Sequence, residues 1–113
     1  MPASEFADDA AFRLAVGTLL KQLMVQLDAV DSDGLEARLT EGNLQITFEE
    51  DGSVFVLSQQ TPTHELWLSA NRRAAHFRKV GGTWNERDTA EPLAAFLSRL
   101  ISDKLQLAVG LRL

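Results

Sequence analysis

Few residues in this chain could do chemistry: two histidines, two tryptophans and two knots of carboxylates, with no cysteine at all. The missing thiols exclude disulfide staples, cysteine nucleophiles and thiolate metal sites, which fits a reducing compartment. No Gly-x-Ser-x-Gly elbow and no glycine-rich phosphate loop after a strand occur, so no catalytic constellation emerges and a non-enzyme is expected. His64 and His76 fall in separate segments, and residue alternation points His76 outward and His64 inward, away from any shared metal. Asp28, Asp31, Asp33 and Glu36 gather between the first helical stretch and the first strand, where a bend at Gly34 would bring them to one edge. Glu49, Glu50 and Asp51 form a second knot. Hard oxygen donors of this kind suit Fe²⁺, Mn²⁺, Ca²⁺ or Mg²⁺ weakly. Neither knot completes a coordination shell or matches the calcium-loop motif, and solvated surface is the plain alternative for both. Trp67 carries the sharpest signal. Leu66 and Leu68 need the core, so Trp67 must face the other way, and outward aromatics on a polar surface are enriched in binding hot spots. Trp84 reads as structural.

The elements that position these residues follow from periodicity. Phe12, Ala15, Val16, Leu19, Leu20, Leu23, Leu27 and Val30 recur every three or four residues and predict a helix from about Asp9 to Val30. Gly17 inside it costs propensity, which a close contact with another helix would explain. Six strands are expected next: Leu35–Leu39, Leu44–Glu49, Ser53–Gln59, His64–Ala70, Ala74–Lys79 and Thr83–Arg87, joined by turns at Gly42, Gly52, Pro62 and Gly81-Gly82. Pro92 is tolerated only in a first helical turn, so the last helix is placed from Ala90 to about Gln106 with Thr89 as its N-cap. The apolar tail from Leu107 to Leu113 is expected in the groove between the helices. Short hairpins leave no room for crossovers, so the sheet is antiparallel, both helices share one face, and the class is α+β. The open face then carries Thr47, Ser58, Glu65, Trp67 and His76.

With 113 residues, 45% of them hydrophobic, one domain over residues 1–113 is expected. No apolar run approaches the ~20 residues of a membrane span. The first residues lack a basic region leading into an apolar core and are too acidic for a transit peptide. The net charge of -5 is segregated: residues 1–36 carry -5, residues 37–70 carry -4 and residues 71–113 carry +4. That distribution gives an acidic end for cations or a basic partner and a basic end for an acidic one. It is a poor footprint for nucleic acid.

At this point the chain resembles the frataxin family. The resemblance rests on Gly42-x-Leu44-x-Ile46-Thr47-Phe48, on Gln60-Thr61-Pro62-x-x-x-Leu66-Trp67-Leu68-Ser69, on His76-Phe77, on Gly82-x-Trp84 and on Leu93-Ala94-Ala95-Phe96-Leu97…Leu105-x-Leu107, across about residues 9–110. It implies an α-β-α sandwich and an accessory role in iron–sulfur cluster assembly, by docking on a cysteine desulfurase and its scaffold protein. It also implies weak binding of Fe²⁺, or of Fe³⁺ and other cations, along an acidic ridge. By the resemblance Trp67 matches the sheet tryptophan that meets the assembly machinery, and His76 a histidine of bacterial members. Ser58 stands for a usual asparagine and Glu65 for a glutamine. Asp28 and Asp31 fall on ridge positions and Asp33 matches approximately. Met24 and Val25 replace frequent glutamates, and Arg78 a common aspartate. Thr47, Ser58, Glu65, Trp67 and His76 are thus the expected partner-binding residues, and Asp28, Asp31, Asp33 and Glu36 the expected metal ligands. A monomer in the bacterial cytoplasm is expected, or in the mitochondrial matrix of a eukaryote. Two other readings stay open: a store or carrier of ferrous iron, and an interaction module with little or no metal binding.

Overall fold

The computed structural model describes residues 5–30 and 34–113. Helix α1 spans Asp9–Asp28, and the Asp8 carboxylate caps it by accepting the Ala11 N–H at 2.8 Å. Phe12, Val16, Leu19, Leu20, Leu23 and Leu27 form its buried stripe, as the three-and-four spacing predicts. Gly17 does not mark a close helix contact: a Cβ built there would meet nothing within 4 Å. The glycine is therefore a propensity cost with no packing reason behind it.

Six strands follow in chain order: β1 Leu35–Thr40, β2 Asn43–Phe48, β3 Val54–Gln60, β4 Glu65–Ala70, β5 Arg73–Val80 and β6 Thr83–Glu86. They pair as one antiparallel meander in the order β1-β2-β3-β4-β5-β6. A single turn of 3₁₀ helix, Thr61–Thr63, bridges β3 and β4, with Pro62 in its first positions. The β4–β5 hairpin turns on Asn71 and Arg72, both at positive φ (52° and 63°). An arginine there carries a steric cost that glycine would avoid.

Helix α2 spans Leu93–Leu105 and starts three residues later than expected. The reason is Glu86. Its buried carboxylate accepts the N–H groups of Asp88 (2.6 Å) and Thr89 (3.2 Å), and its backbone exchanges bonds with Ala90 and Glu91. This closes residues 86–91 into a loop with Ala90 at φ +63°, so Thr89 cannot act as N-cap and the helix begins after Pro92. Leu93, Leu97 and Ile101 are its buried residues, while Phe96, Leu100 and Leu105 are half-buried.

Both helices cover one sheet face. Leu44, Ile46, Phe48, Phe55, Leu57, Leu66, Leu68 and Phe77 from the strands join the helical stripes and Trp84 in a single core. The tail packs partly as expected. Leu111 is buried and Val109 half-buried; Ser98 Oγ and Ser102 Oγ accept the Leu111 and Val109 N–H groups, and the Gln26 amide bonds both backbone groups of Arg112. Leu107 and Leu113 stay exposed. Removal of residues 107–113 should cost about 2–4 kcal/mol from lost apolar burial and hydrogen bonds. Gly17→Ala should add about 0.5–1 kcal/mol. Calorimetric melting checks both, and an unchanged melting temperature for the truncated chain would show that the tail contributes nothing.

Candidate functional site

Leu66, Leu68 and Phe77 are each at most 1% exposed in the core, so alternation along β4 and β5 sends Glu65, Trp67, His76 and Arg78 to the face opposite α1 and α2. The register aligns them. Ser58, Trp67 and His76 are directly opposite one another across β3, β4 and β5, and Gln60, Glu65 and Arg78 form the adjacent row. Thr47 shares the face but lies apart, beside Glu36 on β1 and Val54 on β3. The structure therefore gathers Ser58, Glu65, Trp67 and His76 and leaves Thr47 out.

Trp67 is 38% exposed, yet it is not loose. Its indole N–H donates to Glu65 Oε1 at 3.1 Å, and the His76 ring packs on it with centroids 4.8 Å apart. Beneath the indole, Glu65 is only 4% exposed, and its other oxygen accepts from Arg78 Nη2 at 3.1 Å. Burial alone raises the pKa of this carboxyl; hydrogen bonds from Trp67 and Thr63 and the charge of Arg78 outweigh it and leave the pKa below the usual value. Arg78, which sequence reasoning noted only as a departure, is thus the counter-charge of the site. Its pairing with Glu65 across β4 and β5 was readable from the strand register alone. His76 Nδ1 is buried and lacks a hydrogen-bond partner among the described residues, while the residue's backbone N–H donates to Glu86 Oε2 at 3.1 Å.

The expected carboxylate ridge does not assemble among the described residues. Asp28 lies exposed in the last turn of α1, while Glu36 faces out from β1 opposite Thr47, on the side away from the helices. The bend at Gly34 thus fails to align these two, because β1 needs Leu35, Ala37 and Leu39 inward against the core. Asp31 and Asp33 lie outside the described residues. No group of three or more histidine or acidic side chains among the described residues could hold a metal ion. The second knot has another use: Asp51 accepts from Lys104 Nζ at 2.7 Å and from Ser53 Oγ at 2.7 Å, tying α2 to the β2–β3 turn. Those hydrogen bonds hold its carboxyl well below the usual range. His64 is structural, stacked on Phe12 with centroids 4.8 Å apart and bonded to Asp9 Oδ1 at 2.7 Å.

A family model for the frataxin-like domain matches residues 5–107. Among curated relatives, the iron–sulfur cluster assembly protein CyaY of Janthinobacterium sp. is 37% identical over 106 residues, covering 90% of this chain and 88% of that one. The protein of the same name from Ralstonia nicotianae is 36% identical over 84 residues, covering 74% and 73%. Among solved structures, frataxin from Psychromonas ingrahamii superposes with a TM-score of 0.84 at 18% identity, over 91% of this chain and 96% of that one. Trimeric yeast frataxin gives 0.67, also at 18%, over 94% and 86%. These superpositions bear on the fold.

The buried carboxylates set an acid limit on the site. For Glu86, too, burial raises the pKa, and hydrogen bonds from the Asp88, His76, Thr89 and Arg87 backbone outweigh it. Glu65 and Glu86 are both held below their ordinary 4.5 in the folded state, so the unfolded chain takes up protons first on acidification. Their contribution to stability is complete above that value and is lost as pH falls through the folded-state pKa values. Melting temperature should therefore fall below pH 4.5, and less steeply in Glu86→Gln than in the unaltered chain. Parallel pH profiles would exclude Glu86 from the effect.

Proposed function

The chain belongs to the frataxin-like family, and from that premise we propose that it is a non-enzymatic accessory protein of iron–sulfur cluster assembly that docks through its open sheet face on a cysteine desulfurase and its scaffold protein. One observation carries the docking reading: an aromatic side chain, 38% exposed, is braced in the middle of a face that no other element among the described residues covers. A braced ring loses little conformational entropy when a partner packs on it, which is the physical basis of aromatic hot spots. The two CyaY relatives support the process, since both are named iron–sulfur cluster assembly proteins.

Iron enters this reading as cargo. Asp28 and Glu36, with Asp31 and Asp33, are the carboxylates that would hold Fe²⁺ loosely near the acidic end. The positions of Asp28 and Glu36, on the helix layer and on the opposite sheet face, favour a second reading in which docking persists with little iron binding. Titration with Fe²⁺, followed at the backbone amides, separates the two. Perturbation at Asp28 and Glu36 supports loose cargo binding there, perturbation elsewhere overturns the site assignment, and perturbation nowhere supports the pure interaction module.

Trp67→Ala tests the docking face. The exposed ring makes a smaller contribution to folding than a core aromatic, whose loss costs about 3–5 kcal/mol. Trp67→Ala should cost roughly 1–2 kcal/mol of stability, mainly through the bond lost to Glu65. It should weaken binding to the desulfurase–scaffold complex by about 2 kcal/mol, some thirtyfold. Calorimetric unfolding and partner affinity on the same sample check both numbers, and unchanged affinity would remove this face from the mechanism.

A further inference from the structure

Glu65 and Arg78 make an arrangement whose stability value is small. Replacing a buried ion pair by apolar residues of the same volume is often neutral or stabilising, because both charges lose their hydration. The two residues sit opposite each other on neighbouring strands, with Glu65 4% exposed and the Arg78 side chain 24% exposed. What the pair does is local. One carboxylate oxygen is held by Arg78 at 3.1 Å, and the other receives the indole N–H of Trp67 at 3.1 Å. The indole therefore has its one polar atom engaged from below by a fixed anion and one side packed by His76.

We propose that Glu65, held in place by Arg78, is a positioning residue that locks the Trp67 indole and removes its N–H from recognition, so that a partner packs an uncharged apolar side chain against the exposed ring carbons. This rests on the docking role of the sheet face. Charge and composition agree with it. The carboxylate is neutralised by Arg78. Trp67 shares its row with Ser58 and His76; the row on one side is Val56, Ser69 and Ala74, and the row on the other holds the Glu65–Arg78 pair itself. The charges in these rows, Glu65 and Arg78, are paired with each other, so the ring offers carbon surface beside a neutralised pair. A partner group bearing a lone acceptor would gain nothing from the occupied N–H and would lose its own hydration. An apolar group gains area without that loss.

The test separates the lock from the docking face. Glu65→Gln keeps an acceptor under the indole, and Glu65→Met keeps the volume and removes the acceptor. In ¹⁵N-labelled free protein, the Trp67 indole N–H resonance should keep its low-field position in Glu65→Gln. In Glu65→Met it should move towards the position of an unbonded indole, with faster solvent exchange. Affinity for a bacterial desulfurase–scaffold complex should stay within about twofold for Glu65→Gln and fall about tenfold for Glu65→Met. On binding by the unaltered chain, the indole N–H should stay bonded and shift little. An indole resonance unmoved in folded Glu65→Met, or equal affinity of Glu65→Met and the unaltered chain while Trp67→Ala binds weakly, overturns the lock. A large low-field shift of the N–H on complex formation overturns the apolar assignment. Full affinity in Trp67→Ala overturns the docking reading instead and leaves the free-protein resonance to decide the lock.

Discussion

Leu66 and Leu68 sit at the middle of the core, 0% and 1% exposed, and the period-two alternation of a strand fixes what their neighbours must do. Glu65, Trp67 and Ser69 have no choice of side. A one-residue slip of β4 would drive a carboxylate and an indole into the helix layer and put two leucines in water, so the register is strongly specified. The neighbouring strands are specified in the same way, through Leu57 opposite Leu68 on β3 and Phe77 opposite Leu66 on β5. The row of Ser58, Trp67 and His76 is therefore a consequence of the core. The candidate docking face is as rigid as the packing behind it.

The charges are also less free than their totals suggest. The segregation along the sequence, acidic early and basic late, reads as a strongly dipolar surface. In the fold, several of those charges meet across the divide: Arg78 with Glu65, and Lys104 with Asp51. Glu86 is consumed by backbone amides of the β6–α2 loop. What remains for an outside cation is a smaller set of carboxylates, of which Asp28 and Glu36 occupy different layers. On the proposed reading, recognition through the sheet face depends less on net charge than on the braced indole, beside which Glu65 and Arg78 neutralise each other.

Most of the architecture was legible because it depends on patterns with a single physical reading. The stripe from Phe12 to Leu27 could only be a helix with one buried face, and the alternation of Leu44, Ile46 and Phe48 could only be a strand with one wet face. Helix α2 was misplaced at its start because propensity and the Pro92 rule cannot show that a carboxylate six residues earlier, Glu86, would gather the Asp88 and Thr89 amides into a loop. Gly17 was given a packing reason that the open space beside it removes. At the site, the outward direction of Trp67 followed from its two leucine neighbours. The bracing by Glu65 did not, because alternation puts Glu65 and Trp67 on one face without showing that the carboxylate is buried against the indole N–H. The carboxylate cluster failed for the opposite reason: closeness in sequence says little about closeness in space once a strand sends Glu36 away from the helix end.

On the proposed reading, the open sheet face around Trp67 is the surface that meets the assembly machinery. The competing surface is the outer side of α1, where Leu14 and Val25 are 74% and 69% exposed. The most direct measurement is amide mapping of the ¹⁵N-labelled protein with an unlabelled desulfurase–scaffold complex. Perturbations centred on Ser58, Trp67, Ser69 and His76, with Leu14 and Val25 unchanged, are the result predicted. Perturbations along Leu14 and Val25 with the Trp67 row silent would contradict it.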